Sequence, residues 1–161
     1  MKSLFVGVWP LLFFFLFSAQ TVWADSSEFW IKGEVPEGRE WHMFSPRSEK
    51  LQKQAALMVT TLAVPYQVTD APEVMGQLHT GIERFKMLGQ KQVSWGDGVA
   101  TLVSFQGRQK GRRILGRALL IPKEDKTTRL VLLVRHPGAN ATILKQFNKM
   151  TAESLENLLV K

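Results

Sequence analysis

The run Arg108-Gln109-Lys110-Gly111-Arg112-Arg113 sets four cations within six consecutive residues, and Arg117 follows four positions later. A guanidinium presents a planar fork of N–H donors that matches carboxylate and phosphate oxygens, while a lysine ammonium acts as a compact point charge. The chemistry of such a run is anion binding rather than bond cleavage. Arg108, Lys110, Arg112, Arg113 and Arg117 are therefore the candidate partner-binding residues. A competing reading is a solvated hairpin whose charges deter edge-to-edge pairing. Against an anionic membrane, four cations at about 1 kcal/mol each give about 4 kcal/mol, which corresponds to millimolar and transient contact.

Residue types that break bonds are present without the spacing that would make them work together. His42, His79 and His136 are the three histidines, and they form no HxH, HxxxH or HExxH pattern that would point to a metal. Ser94 lies in Gln92-Val93-Ser94-Trp95-Gly96, which lacks the first glycine of a nucleophile elbow, and Ser104 lies in an ordinary strand pattern. Asp97-Gly98 reads as a tight turn, and Glu37 with Glu40 as a charged loop. No catalytic residue, metal ligand or cofactor site is assigned. Trp30, Trp41 and Trp95 could stack on a ligand, but tryptophan is highly buried on average, so core roles are expected for them.

Charge and leader narrow the setting. Lys2, the apolar run from Leu4 to Phe17 and the small-residue exit Val22-Trp23-Ala24 form the pattern of a secretory signal peptide, with cleavage expected after Ala24. The expected domain organisation is a leader over 1–24 and one domain over 25–161. Lys2 is the one basic residue in that leader, so the mature charge is one less than the +7 of the whole chain. A moderately basic balance favours phosphates, anionic lipids or acidic proteins. For an exported chain nucleic acid is not an expected partner. The complete absence of cysteine excludes disulfides, thiolate metal sites, thiol catalysis and cysteine-borne lipid anchors. A thiol-free exported domain suits a bacterial periplasm, and a eukaryotic secretory origin stays open.

The elements that must hold these side chains follow from periodicity. Phe29 to Lys32 and Trp41 to Phe44 read as short strands around a Pro36-Glu37-Gly38 turn. Ala55 to Val64 reads as a strand rich in β-branched residues, with a helix over Ser45 to Leu62 as the competitor. Asp70, Pro72 and Glu73 read as a helix start, Val74, Leu78, Ile82 and Phe85 as its apolar face, and Gly89 as its end. Val99 to Gln106, Arg113 to Ile121 and Thr128 to Arg135 read as an antiparallel meander, and Gln90 to Trp95 as a strand joined to it through Gly96-Asp97-Gly98. Both sides of the meander are apolar, so helices are expected above and below it. Thr142 to Met150 and the segment capped by Thr151 read as two closing helices. Asn140-Ala141-Thr142 matches a glycosylation sequon and also suits helix entry, the reading favoured here.

This order of parts, with Phe44-Ser45-Pro46, the Ala55-to-Tyr66 strand, the Asp70 helix, Gly98 to Phe105, Gly116-Arg117-Ala118, Leu130 to His136 and a terminal helix, resembles the PsbP-like, or Mog-type, α/β/α sandwich. The resemblance implies an α+β fold: an antiparallel meander covered by helices, following a cleaved signal peptide. It also implies a binding or assembly module with no transferred active site, because fold alone does not fix partners. The expectation is an exported, non-enzymatic periplasmic or secreted protein that docks on an envelope protein. The rival readings are a factor for anionic membranes or lipids and a small secreted hydrolase.

Overall fold

Aliphatic and β-branched residues alternate through the second half of the chain, and there the computed structural model places four long consecutive strands. The structure describes residues 26–35, 40–63 and 82–161. In chain order the elements are α1 (Ser26–Phe29), β1 (Trp30–Lys32), β2 (His42–Pro46), α2 (Glu49–Gln52), β3 (Ala55–Leu62), β4 (Glu83–Trp95), β5 (Gly98–Gln109), β6 (Arg112–Pro122), β7 (Thr128–Arg135), α3 (Ala141–Asn148) and α4 (Ala152–Val160). The strands form one seven-stranded sheet in the order β1-β2-β3-β7-β6-β5-β4. Every neighbouring pair is antiparallel. The β4-to-β7 meander is as the alternation implied, and β7 lies in the middle with Leu130 to Val134 all buried.

The two faces of the sheet are packed differently. Leu57, Val59, Leu102, Leu119, Val131 and Leu133 point to one face, where Ile143 and Phe147 of α3 and Leu155 and Leu158 of α4 cover them. Local chemistry sets both helices. The Asn140 side chain accepts the Thr142 N–H, and Thr151 and Ser154 exchange side-chain and backbone bonds in a capping box. Asn140 thus performs the helix-entry role. Ser26 of α1 bonds Ser154 of α4, tying the start of the described chain to its last helix. On the second face Val103, Phe105, Ala118, Leu120, Leu130 and Leu132 form another cluster, flanked by Trp41, Met58, Ile82 and Phe85. Among the described residues this face carries no helix, so the expected cover on both sides is seen on one. Trp30 is buried and Trp41 and Trp95 pack against the two clusters, which gives all three tryptophans core roles.

Three expectations need correction or restriction. The helix extended through Ile82 and Phe85 to Gly89 does not reach there: Glu83 to Gly89 is the first half of β4. Its register against β5 slips between Glu83 and Lys86 and again between Met87 and Gly89. An inserted residue breaks two-residue alternation, and the remaining apolar spacing imitates a helix. Gly89 belongs to this bulge rather than to a helix end. The competing helix over Ser45 to Leu62 shrinks to the single turn of α2, and β3 follows as a strand. The leader, the Pro36-Glu37-Gly38 turn, the Asp70 helix start and His79 lie outside the described residues.

Candidate functional site

The basic run is a tight hairpin rather than a loop. The strands extend further than alternation alone implied, so β5 reaches Gln109 and β6 begins at Arg112, leaving Lys110 and Gly111 as a two-residue turn. Both turn residues have positive φ, 48° and 75°, the signature of a type I′ turn whose twist matches the flanking strands. Arg108 stands directly opposite Arg113, and Gln109 opposite Arg112. Alternation then divides the five candidate residues. Arg108, Arg113 and Arg117 share the helix-covered face, Arg112 belongs to the second face, and Lys110 occupies the tip.

The register extends this arrangement across the sheet. On the helix-covered face Arg117 lies opposite Ser104, and two residues nearer the tip Leu115 lies between Gln106 on β5 and Arg135 on β7. Helix α3 ends at Asn148, whose side-chain Oδ1 accepts a 2.8 Å bond from Nη1 of Arg117. Toward the hairpin this face is less covered: Arg113 is exposed, and Leu115, Arg117 and Arg135 are half-buried. Arg113 donates from Nη2 to Oε1 of Gln106 at 3.2 Å. Arg113, Arg117 and Arg135 therefore surround the half-buried Leu115, two along its own strand and one across it.

Their partners matter as much as their positions. An amide oxygen fixes a guanidinium without cancelling its charge, and among the described residues no carboxylate pairs with any of the three. Arg129 sits on the same face at the covered end, where Glu156 neutralises it. Arg135 is the member that reading the chain missed. It closes a hydrophobic strand and seemed only to end it; the pairing of Leu115 with Arg135 brings it in. Burial, and then the neighbouring Arg117, push its pKa below the usual arginine value, so both effects disfavour its charge.

Two depressions flank the hairpin. On the helix-covered side a groove of about 270 Å³ is lined by Leu88, Gly89, Lys91, Leu102, Ser104 and Arg117. Near the tip a hollow of about 500 Å³ is lined by Gln109, Lys110, Arg112, Ile114 and His136. His136 thus sits among cations, and among the described residues Ser104 bonds no histidine. Ser94 and Asp97 lie at the far end of β4 and its turn, away from both depressions. Among the described residues no three His, Asp or Glu side chains gather as a metal site, and no helix is long and apolar enough to cross a membrane.

No family model and no curated protein matches the chain. Solved structures do resemble it. A Pseudomonas aeruginosa protein of unknown function, PA94, superposes with a TM-score of 0.52 at 16% identity, over 74% of this chain and 92% of that one. The Ran-binding protein Mog1p of Saccharomyces cerevisiae gives 0.48 at 15% identity, over 81% of each chain. The PsbP homologue CyanoP of Synechocystis gives 0.48 at 16% identity, over 78% of this chain and 80% of that one. The α+β fold inferred from element order, an antiparallel sheet with helices packed on it, is the fold observed, and PsbP and Mog1p are among the structures it resembles. At these identities the likeness describes fold and leaves partners open.

Proposed function

We propose that this chain is an exported, non-enzymatic accessory domain that binds an acidic envelope protein through its β5–β6 hairpin. The observation carrying this reading is the Arg108–Arg113 cross-strand pair beside Lys110 and Arg112. Like charges placed directly opposite destabilise a ladder, and none of these four is matched by a carboxylate among the described residues. A rigid hairpin that keeps such repulsion is suited to a surface of opposite sign, which relieves it on docking. Complementary charge of this kind chiefly speeds encounter and fixes register.

The test compares affinity capture from the native envelope by the wild-type protein and by a variant with Arg108, Lys110, Arg112 and Arg113 all changed to Ser. The expected result is a companion protein that the wild type retains and the variant loses, with weaker retention as salt rises. Equal recovery by both removes the hairpin from the reading. N-terminal sequencing of exported protein, with Asp25 expected first, checks the compartment independently.

A further inference from the structure

The hairpin tip accounts for Lys110 and Arg112 but not for Arg135, which lies on β7 and belongs to no basic run. We infer that Arg113, Arg117 and Arg135, set around Leu115 on the open end of the helix-covered face, form a discrete binding site for a phosphoryl group. The argument rests on geometry. Arg113 and Arg117 lie two residues to either side of Leu115 and Arg135 directly across from it, so the three stems stand within about 5–7 Å of Leu115, with Arg113 and Arg117 about 13 Å apart, and the long side chains can meet over it. A phosphoryl group carries about −1.5 to −2 charge and three acceptor oxygens, which suits three convergent forks. A lone carboxylate, with one charge and two oxygens, satisfies one fork and leaves the others unmatched.

Preorganisation supports the same ligand. Asn148 holds Arg117, and Gln106 holds Arg113, both through neutral amide oxygens, so each head is aimed while its charge stays available. The groove beside Arg117 continues the site toward β4, with the Ser104 hydroxyl and Lys91 as further donors and Leu88 and Leu102 as apolar wall. That groove gives room for whatever the phosphoryl group is attached to. Free phosphate and a phospholipid headgroup share this chemistry. The site goes beyond the protein-docking reading and does not depend on it, because Arg108, Lys110 and Arg112 take no part, Arg117 and Arg135 lie outside the tip, and Arg113 alone is shared.

The experiment titrates the full chain, labelled with nitrogen-15, with inorganic phosphate at constant ionic strength set by chloride. A parallel arm measures cosedimentation with vesicles containing phosphatidic acid, against vesicles matched in surface charge with phosphatidylserine. Saturable shifts at Ser104, Gln106, Leu115, Arg117 and Arg135, with a dissociation constant on the order of 1 mM, assign free phosphate as the source. Preference for phosphatidic acid that R135Q removes assigns the headgroup. In either arm R135Q and R117Q are expected to weaken binding about tenfold. R135K, which keeps charge and loses the fork, is expected to weaken it several-fold, and R112Q to leave it unchanged. Failure of both arms overturns the site. So does R112Q weakening binding as much as R135Q, or R135K binding like wild type, since either marks diffuse charge. Unchanged thermal melting of R135K and R112Q keeps the comparison valid whether or not R135Q and R117Q fold. Loss of envelope capture by a variant with only Arg108, Lys110 and Arg112 changed to Ser, Arg113 being kept, with phosphate binding intact, separates this site from the docking surface.

Discussion

Along β5, β6 and β7 one face changes character partway down the strands. Under α3 and α4 it carries Leu102, Leu119, Val131 and Leu133, all buried, and its cation Arg129 is paired with Glu156. Nearer the hairpin the same strands, in the same alternation, carry Ser104, Arg117, Arg113 and Arg135, with the amide oxygens of Asn148 and Gln106 holding Arg117 and Arg113. The turns at the two ends differ likewise. The β6–β7 turn mixes Lys123, Glu124, Asp125 and Lys126, and Asp125 is anchored by the Thr127 N–H at 3.0 Å. A bond from the Thr127 hydroxyl, and then that N–H bond, hold the Asp125 carboxyl below its usual pKa. The β5–β6 turn offers cations alone. What covers a strand decides its side chains: a helix overhead calls for apolar groups that exclude water, and where the helix stops, the same backbone is free to present charge.

The comparison separates stability from binding, and the largest effect belongs to the covered end. Phe147 is 5% exposed on α3, packed over the sheet. Phe147→Ala should cost about 3–5 kcal/mol in denaturant unfolding. Phosphate and partner binding by the fraction that remains folded should be unchanged. Loss of binding out of proportion to unfolding would show that the two ends are not independent.

Gly116 tests the boundary between them. It pairs with Phe105, and a Cβ at this position would clash with the Phe105 ring. The ring lies over the glycine because no side chain is there, as aromatics do beside strand glycines. Gly116→Ala must push the ring into the second-face cluster, at about 1–3 kcal/mol. Gly116 lies between Leu115 and Arg117, so the variant should also broaden the amide signals of both residues. Wild-type stability would mean that Phe105 moves aside freely and that the second face is looser than its burial implies.

These two ends were legible to different degrees. Turn chemistry and alternation marked the meander, and the capping residues Asn140 and Thr151 marked α3 and α4 to within a residue or two. Those signals are local, so a single chain displays them. The first half of β4 was not legible, because its register shift between Glu83 and Lys86 spaced Ile82 and Phe85 as a helix would. Of the candidate site, the basic run was visible as a cluster, yet its division between faces was not. Arg108 and Arg112 differ in facing direction through the turn geometry, and Arg135 joins Arg117 only through the β6–β7 register. Register is a long-range property, and no window of the sequence contains it.

Smaller effects probe the open end. Arg108 faces Arg113 at like charge, so Arg108→Ser should stabilise the fold by about 0.2–1 kcal/mol at low salt. The gain should shrink as salt rises, while partner capture weakens. A stabilised variant that captures as well as wild type would make the pair a solvated feature of the hairpin, without a docking role.

The smallest expected change isolates conformation from charge at the tip. Lys110 has a φ of 48°, a region where a β-carbon is strained and Asn is tolerated better than Lys. Lys110→Asn should therefore stabilise by a few tenths of a kcal/mol, on the order of 0.5 kcal/mol, because Asn-Gly is the preferred pair for this turn. Lys110→Thr removes the same charge but puts a β-branched side chain at positive φ, so stability should fall instead. The two variants move the turn in opposite directions and the charge in the same one. Matched losses in partner capture would assign the role of Lys110 to its ammonium group. Capture that follows stability, rising with Asn and falling with Thr, would assign it to hairpin shape and reduce the contrast between the two ends to geometry.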